Sequence, residues 1–304
     1  MSRRHLLIAC LLCLLASGAV AQGNYAERFE RAWSLVAERY WSLEEIDWQA
    51  VGEEYRDDAV GAASEDEFYD VLERMYEELD DDHSVFVPPE RVAEIREEYG
   101  DLPCLPVLAQ SDPNANIGRV SFRLIGQVGY LKVPDLASPW IAADTRDVVG
   151  TLVSAGADSL ILDLRGNPGG RLVEMMQLAG IFTRGFLWRV VTRWSLPIPY
   201  PAIGAVETEL PLAILTDGRV NSAAEGLAGA LQQAQRAVIV GEPTAGNVEA
   251  VLPFCLRDGS QAWIATGVLA PIGAPTWEGE GVKPDIPADA DEALEAALRY
   301  LRGM

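Results

Sequence analysis

From Pro103 onward the chain alternates short apolar runs with helical stretches, and that alternation leaves few folds open. Val128–Val133, Leu160–Leu164, Leu212–Leu215, Ala237–Val240 and Trp263–Thr266 are aliphatic, β-branched and too short for helices, so they predict strands. Helices are expected between them at Ala142–Ala155, Gly170–Phe182 and Ser222–Gln235, with a last one over Glu292–Leu301. Strands alternating with helices imply an α/β core. Residues 24–100 follow another pattern. Phe29, Ala32, Trp33, Val36 and Tyr40 recur at three- and four-residue steps, as do Phe68, Val71, Leu72, Met75 and Leu79, which predicts the amphipathic helices of a small bundle. Ser64 and Glu67 read as a capping box, and Pro88-Pro89 opens another helix that runs to about Tyr99. The expected division is a helical N-terminal domain over 22–102 and an α/β core over 103–304.

Residues 1–21 carry Arg3 and Arg4, an apolar run from Leu6 to Ala16, and Ala19-Val20-Ala21. This is the pattern of an export signal cut before Gln22. The apolar run is shorter than a spanning helix requires, so no stable membrane span is expected in the processed chain. Cys10 lies in a lipoprotein-like box, but too little apolar sequence precedes it for lipidation to be the favoured reading. Cys10 and Cys13 leave with the signal. Cys104 and Cys255 then remain in a compartment that permits disulfides, and either a bridge or two buried thiols would suit them.

Charge narrows the chemistry. The chain has 304 residues, 46 Asp+Glu against 24 Lys+Arg and a net charge of −22, so nucleic acid is not an expected partner. Removing the signal takes away two arginines and no acid, leaving −24. Only Lys132 and Lys283 are lysines, and His83 becomes the one histidine of the processed chain. General bases are therefore few.

Four segments could carry chemistry. In Leu162–Gly170 (LDLRGNPGG) a buried strand runs into a Gly-rich turn that feeds a helix. Backbone N–H groups in such a turn suit an anion or a developing oxyanion, although the residues alone favour a plain strand–turn–helix connection. The turn matches neither common nucleotide-binding pattern. Ser222 stands at the start of the Ala/Gly-rich helix of NSAAE, where it could be a nucleophile beside helix-start donors or, with Glu225, simply a capping box. His83 follows a run of acids (ELDDDHS) at a helix C-terminus, where carboxylates oppose the macrodipole. Those acids could reflect composition, bind a cation or flank a histidine held as base, and a zinc site would be short of ligands. Thr276–Asp285 (TWEGEGVKPD) alone reads as a solvated loop.

Taken in order with Gly129-Tyr130 and the run from Gln235 to Gly246 (QRAVIVGEPTAG), these segments resemble the serine peptidase family that includes the C-terminal processing peptidases and the core of tricorn protease. The resemblance implies a crotonase-like α/β core related to the ClpP fold, preceded by a small helical domain, and a serine-type peptidase acting on peptides or unfolded protein without metal or cofactor. The processing branch resembles a Ser–Lys dyad. Its lysine would stand at Asn247, so that mechanism is absent here, and the 41 residues 88–128 leave no room for the family's PDZ domain. The tricorn branch implies Ser222 as nucleophile, His83 as base and Glu278 as its partner, with Glu280 as the alternative carboxylate. Asp82 stands where the resemblance to tricorn implies a serine. Backbone N–H groups of Ala223 and of Gly169 or Gly170 would form the oxyanion hole. A non-catalytic peptide- or hydrophobic-ligand-binding protein on the same scaffold is the other reading that the resemblance allows.

Overall fold

The computed structural model describes residues 25–81, 83–99, 120–194 and 196–303. The export signal and Cys104 lie outside them. The chain divides into two units, 1–93 with 251–266 and 94–250 with 267–304.

In the first unit α1 (25–39), α2 (Trp48–Gly61) and α3 (Glu65–Glu77) precede the short strand β1 (Val85–Val87) and the opening turn of α4 (Pro89–Tyr99). The apolar stripes seen in the sequence meet in one core, where Phe29, Val36, Phe68, Leu72, Met75 and Phe86 are buried together. Ser64 caps α3, its hydroxyl accepting from Glu67 N–H at 3.1 Å while the Glu67 carboxylate accepts from Ala63 N–H. Arg28 spans the core edge, stacked over Phe68 and Tyr69 and paired with Glu65 and Asp258. Residues 251–266 complete this unit with parts of β9 (Glu249–Cys255) and β10 (Gln261–Pro271), and β1 pairs antiparallel with Gln261–Trp263. Cys255 is disulfide-bonded.

In the second unit the alternation after Pro103 builds a six-stranded sheet. Its order is β11 (Ile286–Pro287), β8 (Val238–Gly241), β7 (Leu212–Thr216), β4 (Ser159–Asp163), β3 (Val128–Lys132) and β2 (Ser121–Ile125). All neighbours are parallel except β2 and β3. Side chains alternate across it: Leu160, Leu162, Leu212, Ile214 and Ile239 pack in one core, whereas Tyr130, Ile161, Ala213, Leu215 and Val240 pack in another with Ala297 and Leu298. The first core takes α5 (Ile141–Ser154), α6 (Leu172–Phe182) and α7 (Ala223–Gln233); the second takes α8 (Ala293–Arg302). A separate hairpin, β5 (Phe186–Val191) and β6 (Ile198–Pro201), pairs through β5 with Val268–Pro271 of β10. The strand predicted at Trp263–Thr266 is thus the middle of a longer one.

Helix α7 shows why its sequence is small and apolar. Every residue from Ala223 to Leu231 is buried. A Cβ on Gly229 would lie 2.4 Å from the Trp277 ring, and one on Gly226 would lie 2.4 Å from Leu269, so larger residues would force the packed layers apart.

At the start of α6 the buried Glu174 carboxylate accepts from Ala142 N–H at 3.1 Å, joining the first turns of α6 and α5. Burial pushes its carboxyl up to about 7, a rise that Ala142 N–H and Arg171 only partly offset and to which Asp144 adds. A carboxyl raised on folding favours the folded state fully below its unfolded value, and that contribution is lost as pH rises through the folded value. Urea unfolding should therefore show the wild type losing up to about 3 kcal/mol between pH 4.5 and 8 that Glu174→Gln does not lose. Parallel pH profiles of the two proteins would contradict this account of Glu174.

Candidate active site

Parallel strands β4, β7 and β8 all release their loops at the same C-terminal edge, where open α/β sheets place ligands. At the end of β4, Asp163 is wholly buried yet fully paired: Tyr130 Oη donates to it at 2.7 Å and Arg165 Nε at 2.9 Å. Burial alone would raise the Asp163 carboxyl, but the Arg165 and Tyr130 hydrogen bonds hold it below the usual range. Tyr130 is pushed up to about 12 by burial and by its bond to Asp163. After β7, Asp217 does similar work, accepting from the N–H groups of Gly166 and Arg219 at 3.0 Å each. Both strand ends are thereby fixed before the chemistry-bearing residues begin.

Ser222 follows β7 and immediately precedes α7. Its backbone stands at φ +52°, ψ −124°, the first central position of a type II′ turn, which favours glycine and costs a serine of order 1–3 kcal/mol. Two bonds hold it there: Ser222 N–H donates to Asn247 O at 3.0 Å and to Glu225 Oε1 at 3.1 Å. The capping-box pair read from the sequence is present, but Glu225 does more than cap. Its wholly buried carboxylate also accepts from Asn247 N–H at 2.9 Å, from Gly246 N–H at 2.6 Å and from the Thr244 hydroxyl. Thr244 Oγ1 accepts in turn from Val282 N–H at 2.7 Å. One carboxylate therefore binds the Ser222 turn to the loop after β8, and through Thr244 to the Gly-rich loop before β11. Nothing in the i, i+3 spacing of Ser222 and Glu225 announces these longer contacts.

The Asn-Pro-Gly-Gly turn packs directly on the serine. Gly169, at φ +90°, has no room for a side chain, since a Cβ would lie 2.8 Å from Ser222 Cβ and 3.0 Å from Ala223 N. Asn167 is buried and organises the turn, donating from Nδ2 to Val133 O and accepting from Gly169 N–H at 2.8 Å. The Gly169 N–H is thus engaged within the turn. Gly170 is clamped on either side, by Leu136 N–H to Gly169 O at 2.8 Å and Arg171 N–H to Leu136 O at 2.9 Å. Among the described residues, neither Gly170 N–H nor Ala223 N–H donates to another protein group. Ala223 is the first residue of α7, so its N–H has no intrahelical acceptor.

Glu278 is seated in the same unit. Trp277 packs against Gly229 of α7, and Gly279 N–H donates to Gly246 O at 2.7 Å. These contacts turn the Glu278 carboxylate back to accept from Val248 N–H at 2.7 Å. Ser222 and Glu278 thus hold adjacent residues of one strand entry, Asn247 and Val248. Glu280 is exposed and bound to Lys283 at 2.7 Å, and that hydrogen bond, with the lysine charge, draws its carboxyl below the usual range.

His83 belongs to the first unit. Asp81 Oδ1 accepts from His83 N–H at 2.8 Å and from Ser84 N–H, closing an Asx turn, and Ser84 Oγ accepts from Ala265 N–H at 3.0 Å. The acid run after α3 therefore contains a residue that shapes the backbone at His83. Asp82 lies outside the described residues.

Replacing the central carboxylate with an amide removes an acceptor and turns a donor toward buried N–H groups. Glu225→Gln is expected to cost about 2–4 kcal/mol in urea unfolding, with Glu280→Gln, at the surface, changing stability by under about 0.5 kcal/mol. Equal stabilities of the two variants would show that Glu225 is not the anchor described.

Residues 127–288, more than half of the chain, match the model of peptidase family S41, and residues 22–77 match the tricorn protease C1 domain. A carboxyl-terminal-processing protease of Synechocystis is 31% identical over 189 residues, 58% of this chain and 44% of that protein. One from Picosynechococcus is 35% identical over 137 residues, 44% of this chain and 32% of that protein. The chain thus matches less than half the length of either relative. Among solved structures, a photosystem II D1 C-terminal processing protease superposes with a TM-score of 0.70 at 20% identity, covering 91% of this chain and 97% of that one. A lipoprotein from Streptococcus agalactiae gives 0.72 at 18% identity over 92% and 96%. By the extent of the family match and the motifs it contains, the chain belongs to peptidase family S41.

Proposed function

We propose that this chain is an exported serine peptidase that hydrolyses peptide bonds through an acyl-enzyme, on a crotonase-like core preceded by a helical domain over 22–102. The observation that carries the reading is Ser222 at φ +52° on the start of α7, packed against Gly169, with two uncommitted N–H donors at Ala223 and Gly170. Ser222 Oγ attacks the substrate carbonyl carbon while its proton passes to the His83 imidazole. The oxyanion accepts from Ala223 N–H and Gly170 N–H, with Gly170 favoured over Gly169 because the latter already serves Asn167. Collapse expels the amine with the proton from the imidazolium, and water then repeats the sequence to release the acid. Glu278 orients the imidazole and stabilises its charged form. It is favoured over Glu280, whose charge is already met by Lys283.

The disulfide at Cys255 supports an oxidising compartment and hence the export signal at 1–21. Among the described residues no helix is long and apolar enough to cross a membrane. A peptide or unfolded protein is the substrate class that the relatives' names support, since they are carboxyl-terminal-processing proteases.

A serine-directed phosphonate should label the wild type, fail with Ser222→Ala, and label His83→Ala at least about 100-fold more slowly. The wild-type rate should fall as pH drops and the His83 imidazole takes up a proton, because a protonated base cannot accept the serine proton. A pH-independent rate would remove His83 from the mechanism. A wild type that neither takes the label nor cleaves unfolded protein would remove the peptidase reading altogether.

A further inference from the structure

The longest acid-free stretch of this acidic chain runs from Met175 to Val206, 32 residues containing Arg184, Arg189 and Arg193. It contains the β5–β6 hairpin. At the tip of that hairpin large apolar side chains face solvent: Trp194 is 47% exposed, Leu196 88% and Ile198 56%. Single exposed apolar residues are ordinary, but three within five positions of a chain carrying −22 are not. Arg193 lies over the Trp194 ring at 4.5 Å, which adds positive charge to the apolar tip. Arg189 is committed to the carbonyls of Pro271 and Ala274 and serves the fold.

The hairpin is wired to the serine. Ser222 N–H donates to Asn247 O, and Leu269 N–H donates to Val248 O at 2.9 Å. Leu269 is the strand partner of Val190, and Val268 that of Val191. Two strand spacings, about 10 Å, thus separate the segment bonded to Ser222 from the strand that leads into the tip. Gly267 keeps this crossing close, since a Cβ there would lie 2.5 Å from Val191 O.

The outer edge of β6 cannot add a regular strand. Arg189 pairs with Pro199, and a proline fits only where no inward N–H is needed, between the pairs Trp188 with Tyr200 and Val190 with Ile198. Pro197, Pro199 and Pro201 alternate, so the N–H groups that would face outward are all missing. Whatever docks here is held by its side chains, with little demand on backbone register. That suits an irregular polypeptide better than a folded strand.

We propose that the β5–β6 tip is a substrate-docking element of the peptidase, in which Trp194, Leu196 and Ile198 seat apolar side chains of an unfolded polypeptide with neutral or acidic flanks. The inference rests on the peptidase reading and adds to it the place where substrate is held and the character of its flanks. The tip makes no contribution to the reacting atoms, so its loss should weaken substrate capture and leave the turnover of bound substrate intact.

The test uses the full processed chain and two internally quenched decapeptides with the same Leu/Phe centre, one flanked by Glu and one by Lys. The Trp194→Ser/Leu196→Ser variant should show a KM about tenfold higher for the Glu-flanked peptide, unchanged kcat, and wild-type phosphonate labelling. The wild type should prefer Glu flanks over Lys flanks by about tenfold or more in kcat/KM. Unchanged KM in the variant, or a preference for Lys flanks, would overturn the proposal. So would a variant whose kinetics are intact but whose sedimentation shifts from dimer to monomer, which would make the tip a contact between copies. Retention of the wild type on phosphatidylglycerol vesicles, lost in the variant with KM unmoved, would instead identify a membrane contact. If the wild type takes no phosphonate label, the peptidase reading fails by itself. Fluorescence anisotropy of the same peptides on wild type and variant then decides the docking question separately.

Discussion

The arrangement at the serine depends on a buried carboxylate that has no cationic partner in its hydrogen-bond set. Glu225 is wholly buried, and its oxygens are met by three backbone N–H groups and one hydroxyl. A carboxylate stripped of water without such donors would be prohibitively costly. Here the cost is offset by those donors and by the carboxylate's place in the first turn of a helix, whose dipole favours negative charge. The arrangement is mutual. Remove the carboxylate and the turn at Ser222, the loop at Gly246-Asn247 and the Thr244 link to Val282 each lose a partner.

The same economy recurs one layer out. Asp163 and Asp217 sit where β4 and β7 end, and each accepts from turn backbone and from an arginine two residues on. A parallel sheet leaves carbonyls and N–H groups unpaired at its strand ends, so short acidic side chains that fold back are the simplest means of holding tight turns there. Rigid strand ends are what allow Ser222 to persist at a backbone angle that serine disfavours. The strain is local, and the restraint that maintains it is distributed over three loops.

Much of this was legible in the sequence wherever the signal was local. The apolar runs at Leu160–Leu164 and Leu212–Leu215 are strands, and the small-residue stretch after Ser222 is a helix, because periodicity and chain length decide those questions within a few residues. The spacing of Ser222 and Glu225 showed a cap, and the cap is there. Its larger role was hidden, since Asn247 and Gly246 lie more than twenty residues away and nothing in their identity marks a backbone N–H as a donor to Glu225. The membership of Val251–Thr266 in the first unit was equally hidden, because it rests on pairing with Val85–Val87 across the length of the chain. Strand β6 escaped for another reason. Its prolines argue against a strand unless the strand is known to lie at an edge, and that is a tertiary fact. The choice between Gly169 and Gly170 also needed coordinates, since adjacent glycines differ only in which N–H the Asn167 side chain has taken.

Asn247 shows how the scaffold and the chemistry can part company. What the serine turn takes from position 247 is backbone, an N–H given to Glu225 and a carbonyl that accepts from Ser222. Lysine and asparagine supply both alike, so exchange of one for the other leaves the hydrogen bonds that hold Ser222 in place. The base is therefore the part of the machinery that can be replaced without rebuilding the turn. With an amide at 247 and Lys283 committed at the surface to Glu280, the proposed proton acceptor comes from His83 of the first unit, at the end of an Asx turn. Truncation of Phe68 or Met75 in the first unit's core would leave the Ser222 turn intact, because the hydrogen bonds that hold Ser222 are all made within the second unit.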